Sequence, residues 1–388
     1  SGGTAGGAAG GSGGGGTAGG TAGGAPTFCD AGTRFNDAGT ACVACPLGFL
    51  RCRENCCPAR ALTGHWEHYC ALSSTDEVVC WGLNEQGQLG RGVVSPAEPV
   101  QASVPLNLPV ISVAVGATTS CAVLNDRSLW CWGSNSSGQG GDAGATPSRR
   151  MPPNSAEVVE GGNDHMCIIT PSGSAGCFGY NLNGNVVLPA SATSDFRVAV
   201  AAGVQQLSSG VHHNCVTLSD AGVTCWGDNV FRQARADGGN PVPPSPYPQL
   251  GAARQVAAAS KSSCVLRAND VWCVGAADAG FPVNTVGVPE LVQGSAGAAT
   301  IAASFEAHCL TFIDGGSLCW TTAPFEHESA RRMNGGPGPL TSLAVGIDSV
   351  CGIAPNGAVK CWGQNTQGSV GRDAGFTALQ LGPDFIDP

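Results

Sequence analysis

Fourteen of the twenty cysteines in this 388-residue chain fall into seven pairs of nearly constant separation. They are Cys70/Cys80, Cys121/Cys131, Cys167/Cys177, Cys215/Cys225, Cys264/Cys273, Cys309/Cys319 and Cys351/Cys361. Six pairs are ten residues apart and Cys264/Cys273 is nine apart, while the first members recur after 51, 46, 48, 49, 45 and 42 residues. A short fixed spacing nested in a longer period means that one small unit, stapled once, is copied seven times. Whatever the chain folds into must repeat sevenfold and hold each pair within bonding reach.

The second unit shows how. Ala122, Val123 and Leu124 follow Cys121, Ser128, Leu129 and Trp130 precede Cys131, and Asn125-Asp126-Arg127 lies between. A tight turn over the middle three pairs the flanks as antiparallel strands and sets the cysteines opposite each other. Opposed Cα atoms are then about 4.5–5.5 Å apart, within a disulfide's span. The nine-residue pair agrees, because three residues still flank each cysteine and only the turn shrinks, to Ala268-Asn269. Zinc would require two close pairs of the C-x(2–4)-C kind, and the repeat units have none. Each bridge closes a loop of about ten residues, contributing roughly 2.5–3 kcal/mol on the loop-entropy model. That is a large term where strands rich in Ala, Gly and Ser bury little apolar area.

Twenty cysteines, all able to pair, indicate an oxidising compartment, so the location expected is extracellular or the outer cell surface. The chain starts at Ser1 with no methionine and no apolar leader, as it would after loss of a signal peptide. No run reaches the roughly 18 apolar residues of a spanning helix. The net charge of −10, without a Lys/Arg cluster, argues against nucleic acid or an anionic membrane surface as partner. Charged residues are 12% of the chain, against about 25% in ordinary soluble domains, which suits an extracellular life or a crowded assembly. Two lysines against sixteen arginines, with abundant Gly and Ala, point to a GC-rich bacterial genome.

Three regions follow from composition. Residues 1–26 are a Gly/Ala/Thr/Ser-rich low-complexity segment, read as a tether of about 25–30 Å r.m.s. reach. A lipid anchor upstream of Ser1 would suit it. Residues 27–58 hold Cys29, Cys42, Cys45, Cys52, Cys56 and Cys57. Their apolar content is too low for an independent core, so a disulfide module of open connectivity is expected. Cys42-x-x-Cys45 could instead be redox-active or half a zinc site, but no thioredoxin-like βαβ context surrounds it. Residues 59–388 carry the seven units, each opening on a short strand that ends in small residues, as in "VISVAVGATTSC" and "LTSLAVGIDSVC". No sustained 3.6-residue pattern occurs, which excludes helical repeats. The all-β repetition reads as a propeller or a β-solenoid, and a seven-bladed β-propeller is the expected fold, since ring closure removes exposed sheet edges. The cysteine-rich module and the Gly-rich tail precede it.

After the second cysteine come Trp81-Gly82-Leu83-Asn84, Trp132-Gly133-Ser134-Asn135, Phe178-Gly179-Tyr180-Asn181, Trp226-Gly227-Asp228-Asn229 and Trp362-Gly363-Gln364-Asn365. "GQLG" (87–90), "GQGG" (138–141), "GNVV" (184–187), "RQAR" (232–235) and "GSVG" (368–371) follow. This W-G-x-N-x-x-G-Q pattern resembles the repeats of the regulator of chromosome condensation, a family of seven-bladed propellers. The stapled form is similar to its secreted bacterial branch. Trp should fill the space between blades, Gly should take a positive φ, and Asn should bind neighbouring backbone. The fifth and sixth units depart from the pattern, with Val274-Gly275 and Trp320-Thr321. The segment "FTALQLGPDFIDP" (376–388) is expected to complete the first or last blade.

No catalytic constellation, phosphate loop or metal motif emerges, and no cofactor is expected. His68, His165 and His213 lie two residues before a first cysteine and His308 one before. The structural reading places them in loops near the axis, serving the fold; the alternative is a ring of imidazoles around a channel. Thr119, Ser262 and Ser349 interrupt that ring. Family members act in nucleotide exchange and chromatin binding, or inhibit an enzyme by covering its active site with one loop face; acidity and disulfides favour the second precedent. The function expected is a non-catalytic, secreted or surface-tethered module binding a protein or glycan. A self-assembling structural component, or an enzyme on a propeller scaffold, stays open as an alternative.

Overall fold

The computed structural model describes residues 33–35, 42–53, 55–140, 142, 144–276, 287–305, 307–321, 331–332, 339–347 and 349–363. The tether 1–26, Cys29, the fifth- and sixth-unit loops 277–286 and 322–330, and everything from 364 onward, including the expected closing segment 376–388, lie outside the described residues.

Seven antiparallel sheets follow one another along the described chain, at 59–103, 110–151, 158–200, 204–246, 255–291, 298–332 and 342–363. Six have four strands in sequence order, and the seventh has three among the described residues. The first strands of successive sheets pack side by side, and that of the seventh (Ser342–Val345) packs on that of the first (Ala59–His65), so the sheets close into a seven-bladed propeller. Each first strand lines the axis, and its inner edge would be left unpaired. Side chains of the preceding blade satisfy part of that edge: Ser112 Oγ accepts from Val159 N (3.2 Å), Gln206 Oε1 from Val256 N (2.6 Å) and Ser208 Oγ from Ala258 N (2.9 Å).

The second and third strands of each blade form the hairpin that the cysteine spacing implies. In chain order the bridges are Cys70–Cys80, Cys121–Cys131, Cys167–Cys177, Cys215–Cys225, Cys264–Cys273, Cys309–Cys319 and Cys351–Cys361, with Cα atoms 4.0–4.1 Å apart in all seven. The two cysteines of every bridge stand directly opposite in the ladder. That separation is shorter than the 4.5–5.5 Å expected of a generic opposed pair, and it matches the narrow, non-hydrogen-bonded sites of a ladder. In the nine-residue unit Val265 faces Trp272 and Leu266 faces Val271, so the register survives and the turn tightens over Ala268-Asn269. Turn carboxylates and amides act as turn formers: the Oδ1 of Asp126, Asp220, Asp314 and Asn356 accepts from the N–H two residues on, at Ser128, Gly222, Gly316 and Ala358.

The core is divided rather than single. Seven apolar clusters occupy the seven seams between blades, and each receives a bridge from one blade and apolar side chains from the next. Between the first two blades, Cys70, Leu72, Val78 and Cys80 meet Ala122, Leu124 and Trp132. Cys167 and Cys177 meet Leu207, Val216 and Trp226 in the same way, and Cys215 and Cys225 meet Val256, Val265 and Val274. Cys264 and Cys273 pack on Ile301, Leu310 and Trp320. Cys351 and Cys361 close the circle against Tyr69, Ala71 and Trp81 of the first blade. Cys319 is the one stapled cysteine that is only partly buried, packed beside Cys309 against Leu343 and Trp362.

The cysteine-rich module does not stand apart. Cys45 is bridged to Cys56 and Cys52 to Cys57; Cys45 thus has a partner other than Cys42, and no Cys42-x-x-Cys45 redox pair forms. Leu50, Cys52 and Cys57 are buried in the seam between the last and first blades, beside Tyr69, Trp81, Ile353 and Val359. Gly48 O accepts from Val359 N (2.7 Å), and Arg53 donates to Leu106 O (2.6 Å). Gly48 has φ +84°, and a Cβ there would stand 2.8 Å from Val359 O, so only glycine allows this approach. The module therefore clasps the seam where the first blade meets the last.

Candidate binding face

The strand order gives the ring two different faces. One carries the tight turns between second and third strands, the connections between blades, and the module. The other carries the turns between first and second strands, set around the axis, and outside them the long W-G-x-N loops between third and fourth strands. On this loop face the inner turns are joined blade to blade by backbone bonds: Ala117 N to Asn163 O (2.9 Å), Val211 N to Ala259 O (3.4 Å), Ser260 N to Phe305 O (2.5 Å) and Ile347 N to Trp66 O (2.7 Å).

The cysteines singled out from the sequence hold this face up without forming part of it. Cys80, Cys131, Cys177, Cys225, Cys273, Cys319 and Cys361 each stand two to four residues before the end of their blade's third strand, from which the loop leaves. Each is bonded back into its own hairpin, so the loop starts from a fixed point and no sulfur is offered to a ligand.

The repeated motif explains why the outer loops are rigid. Its asparagine organises each loop from inside: the Oδ1 of Asn84, Asn135, Asn181 and Asn229 accepts from the N–H five residues on, at Leu89, Gly140, Val186 and Ala234. Its glycine takes positive φ, +105° at Gly227, where a Cβ would meet His212 O at 2.6 Å. Its tryptophan does more than fill space. Trp132 Nε1 donates to Gln88 O of the preceding blade (2.7 Å), and Trp226 Nε1 to Asn185 O (2.9 Å). Where Phe178 and Met166 replace Trp and Ser, the second–third seam becomes purely apolar at that point and Arg150 lies over the Phe178 ring.

The histidines belong to the same locks. Ser120 Oγ donates to Gln88 O (2.8 Å) and so accepts from His68 Nε2 (3.0 Å); His165 Nε2 meets Asn214 Oδ1 (2.8 Å), and His213 Nε2 meets Ser263 Oγ (2.8 Å). Each imidazole thus ties its blade to the next. Tyr69 plays the reciprocal part at the ring's closure, donating to Ser349 O (2.6 Å). The expectation that His68, His165 and His213 sit in loops is corrected: they begin second strands, and His308 lies within one, stacked on Trp320. A strand start is where a ring can reach sideways into the next blade. Burial pushes all of them down, His165 to about 4 and His68, His213 and His308 to about 3. His65, at the end of the first inner strand, falls to about 4 through burial and then through the charge of His165. No grouping of three or more His, Cys, Asp or Glu fit for a metal occurs among the described residues.

The loop face also carries what the sequence reading missed. Leu182, Val230, Val93, Val94 and Val288 are each more than half exposed there. Tyr180 lies 5.6 Å from His212, Lys261 lies over the Phe231 ring at 5.8 Å, and Trp66 meets Phe305 edge-on at 5.0 Å. Aromatic side chains on rigid loops are the composition of interface anchors, and the exposed aliphatic ones extend the apolar surface around them. The available signal was the turn offset: four residues before the first cysteine stand Trp66 and Phe305 where other blades have Ala117, Asn163, Val211, Ser260 and Ile347.

One inward group is out of keeping with the rest. Glu160, on the inner strand of the third blade, keeps some access to water, yet burial pushes its carboxyl up to about 8. A raised carboxyl stabilises the fold fully below the unfolded value near 4.5 and loses that contribution as pH climbs through 8. Glu160→Gln is therefore expected to stabilise the protein at pH 8 by about 2–3 kcal/mol, the lower part of what 1.36 kcal/mol per pH unit allows, and to leave pH 4 unchanged. Denaturant melts at the two pH values measure it.

The Regulator of chromosome condensation (RCC1) repeat matches residues 76–123, and a second form of that repeat matches 110–139. The chain carries RCC1 repeats in a seven-bladed propeller. Its sequence is 28% identical over 200 residues to the probable E3 ubiquitin-protein ligase HERC6 of Homo sapiens, covering 47% of this chain and 19% of the ligase. The chain thus spans about a fifth of that relative. Human WBSCR16 shares the fold with a TM-score of 0.67 at 18% identity, over 76% of this chain and 90% of that one. Yeast RCC1 (Prp20), solved with Kap60, gives 0.63 at 20% identity, over 74% and 78%. The RCC1-type ring accounts for the seven seams and the Trp-Gly-x-Asn loops together.

Proposed function

We propose that this RCC1-type propeller is a non-catalytic binding module, secreted or held at the outer cell surface, that takes a protein partner on its loop face. The observation that carries this reading is the opposition of the two faces. Residues 45–57 are fastened to the tight-turn face, through Gly48, Arg53 and the bond from Ala59 N to Gly357 O. The apolar loop tips stand on the other face. A chain held from its N-terminal side would thus present Tyr180, Leu182, Val230 and Phe231 outward, on loops too rigid to lose much entropy on binding. Paired cysteines throughout the described residues support an oxidising location. Yeast RCC1, which shares the fold, was solved bound to Kap60, in keeping with a protein partner.

Capture from an envelope fraction separates the alternatives. Leu182→Asp with Val230→Asp should reduce capture of the partner at least tenfold without shifting the melting temperature. Leu108→Asp with Ile313→Asp, exposed on the opposite face, should leave capture intact. Equal capture by both variants would remove the loop face from the account. Light scattering that shows a concentration-dependent polymer would favour the structural-assembly reading instead.

A further inference from the structure

We propose that the seam between the third and fourth blades, on the loop face, takes one arginine side chain of the protein partner, stacked on Tyr180 between the carboxylates of Asp164 and Asp228. This rests on the docking reading above and adds to it the chemistry of the partner.

Two positions of the repeat meet at this level: the turn residue three before the first cysteine, and the loop residue three after the second. In the third blade they are Asp164 and Tyr180, and in the fourth His212 and Asp228. Backbone bonds from Tyr180 N to Asp164 O (2.8 Å) and from Asp228 N to His212 O (2.8 Å) set each loop residue beside the turn of its own blade. Across the seam the Tyr180 ring lies 5.6 Å from the His212 ring, tilted by 36°. The charges of Asp228 and Asp164 both act on His212, so the four side chains form one group, two rings flanked by two carboxylates. All four are half-buried and open to solvent. Where the third blade has Tyr180, the first, second and fifth have Leu83, Ser134 and Ala276, and an aromatic face is lost.

The carboxylates are held in place but not neutralised. Asn163 Nδ2 donates to Asp164 Oδ2 (2.6 Å), and Gln233 Nε2 donates to Asp228 Oδ2 (2.8 Å). Both donors are uncharged amides, and each Oδ1 is left without a hydrogen bond among the described residues. Neither carboxylate joins an ion pair among those residues. Lys261, on the corresponding turn of the fifth blade, lies over the Phe231 ring instead, at 5.8 Å. Burial holds the His212 ring below the ordinary histidine value, so at pH 7 it sets no positive charge against an incoming cation. A net charge of −10 draws cations towards the chain at longer range.

Arginine suits this group better than other cations. Its planar guanidinium stacks on an aromatic face while its edge donates to carboxylates, which the compact lysine ammonium does less well. A metal ion lacks its donors, because no grouping of three or more His, Cys, Asp or Glu fit for one occurs among the described residues. Leu182 and Val230, two residues beyond Tyr180 and Asp228, are more than half exposed. They give the site an apolar rim, which selects an arginine flanked by aliphatic residues and strengthens the charge contact by excluding water.

The test titrates the whole chain at pH 7.5 with acetyl-Leu-Arg-Leu-amide, and with the same peptide carrying citrulline or lysine for arginine. Each is taken to about 20 mM, well above a millimolar dissociation constant. Saturation-transfer NMR reports binding. The arginine peptide should saturate, and the citrulline peptide, alike in shape but uncharged, should bind about tenfold more weakly or worse. Asp164→Asn and Asp228→Asn should each weaken the arginine peptide by about tenfold, and Tyr180→Leu gives a further reading through the ring. No saturation by the arginine peptide, equal binding of the citrulline or lysine peptide, or unchanged affinity in both Asn variants would overturn the proposal. Capture from the envelope fraction separates this site from the face that bears it. If Leu182→Asp with Val230→Asp abolishes capture while Asp164→Asn with Asp228→Asn leaves it whole, the arginine site falls and the docking face stands. If neither pair reduces capture, both fall.

Discussion

Once its bridges are reduced in denaturant, the chain is expected not to regain a cooperative unfolding transition when the denaturant is removed in the presence of reductant. Every stapled cysteine except Cys319 is fully buried, at 0% exposure. Reductant alone should therefore be slow on the blades, opening Cys45–Cys56, whose two cysteines are both partly exposed, and then Cys309–Cys319, and denaturant should be needed to reach the remaining blade bridges. On the loop-entropy model each ten-residue staple contributes roughly 2.5–3 kcal/mol. Seven together exceed the 5–15 kcal/mol that separates a typical folded domain from its unfolded chain, even if their effects fall well short of additivity. A single-blade variant, Cys121→Ser with Cys131→Ser, isolates one staple and should lose about 2.5–3 kcal/mol in a guanidinium melt while keeping its β-sheet circular dichroism. Refolding of the fully reduced chain to native stability would mean that the seams alone hold the ring.

Mild acid should act nearly as strongly, through a separate mechanism. His65, His68, His165, His213 and His308 are buried and held at about 3–4, whereas in the unfolded chain they titrate near 6.5. The unfolded state thus binds more protons below 6.5, so the contribution of these groups is full above that pH and is lost as pH falls towards 4. At pH 5 one such histidine costs roughly 2 kcal/mol, and five would cost about 10 if independent. Mutual coupling and local opening reduce this, and a fall of about 5 kcal/mol between pH 7.5 and pH 5 is expected. His213→Gln, which keeps a hydrogen-bonding group near Ser263, should remove about 2 kcal/mol of the acid loss. A stability profile flat from pH 7.5 to 5 would contradict burial of these imidazoles in the neutral form.

The staples and the blade count are legible in the sequence because a fixed covalent spacing leaves one register for each hairpin. Trp132 and Trp226 are likewise legible as seam fillers, and Gly227 as a positive-φ position. What the motif does not display is its direction. Trp132 Nε1 and Ser120 Oγ converge on Gln88 O of another blade, and their separation in sequence hides a pairing that only ring geometry creates. The histidines illustrate the same limit. Their offset from the cysteines marks them as repeat features, but placing them at strand starts requires knowing which side of each hairpin meets its neighbour. The module could not be located at all from composition: Leu50 reads as one apolar residue among few, and its burial depends on Ile353 and Val359 some 300 residues away. Trp66 and Phe305 were hidden because the equivalent offsets hold unlike residues, Ala117, Asn163, Val211, Ser260 and Ile347, that mark no shared role.

A peptide map of the unreduced protein bears on the ring as a whole. Proteolysis followed by mass spectrometry should recover Cys70 with Cys80, Cys121 with Cys131, Cys167 with Cys177, Cys215 with Cys225, Cys264 with Cys273, Cys309 with Cys319 and Cys351 with Cys361. No free thiol should appear among them. Peptides joining cysteines of different blades, or a majority of these fourteen sulfurs alkylated without reduction, would contradict it.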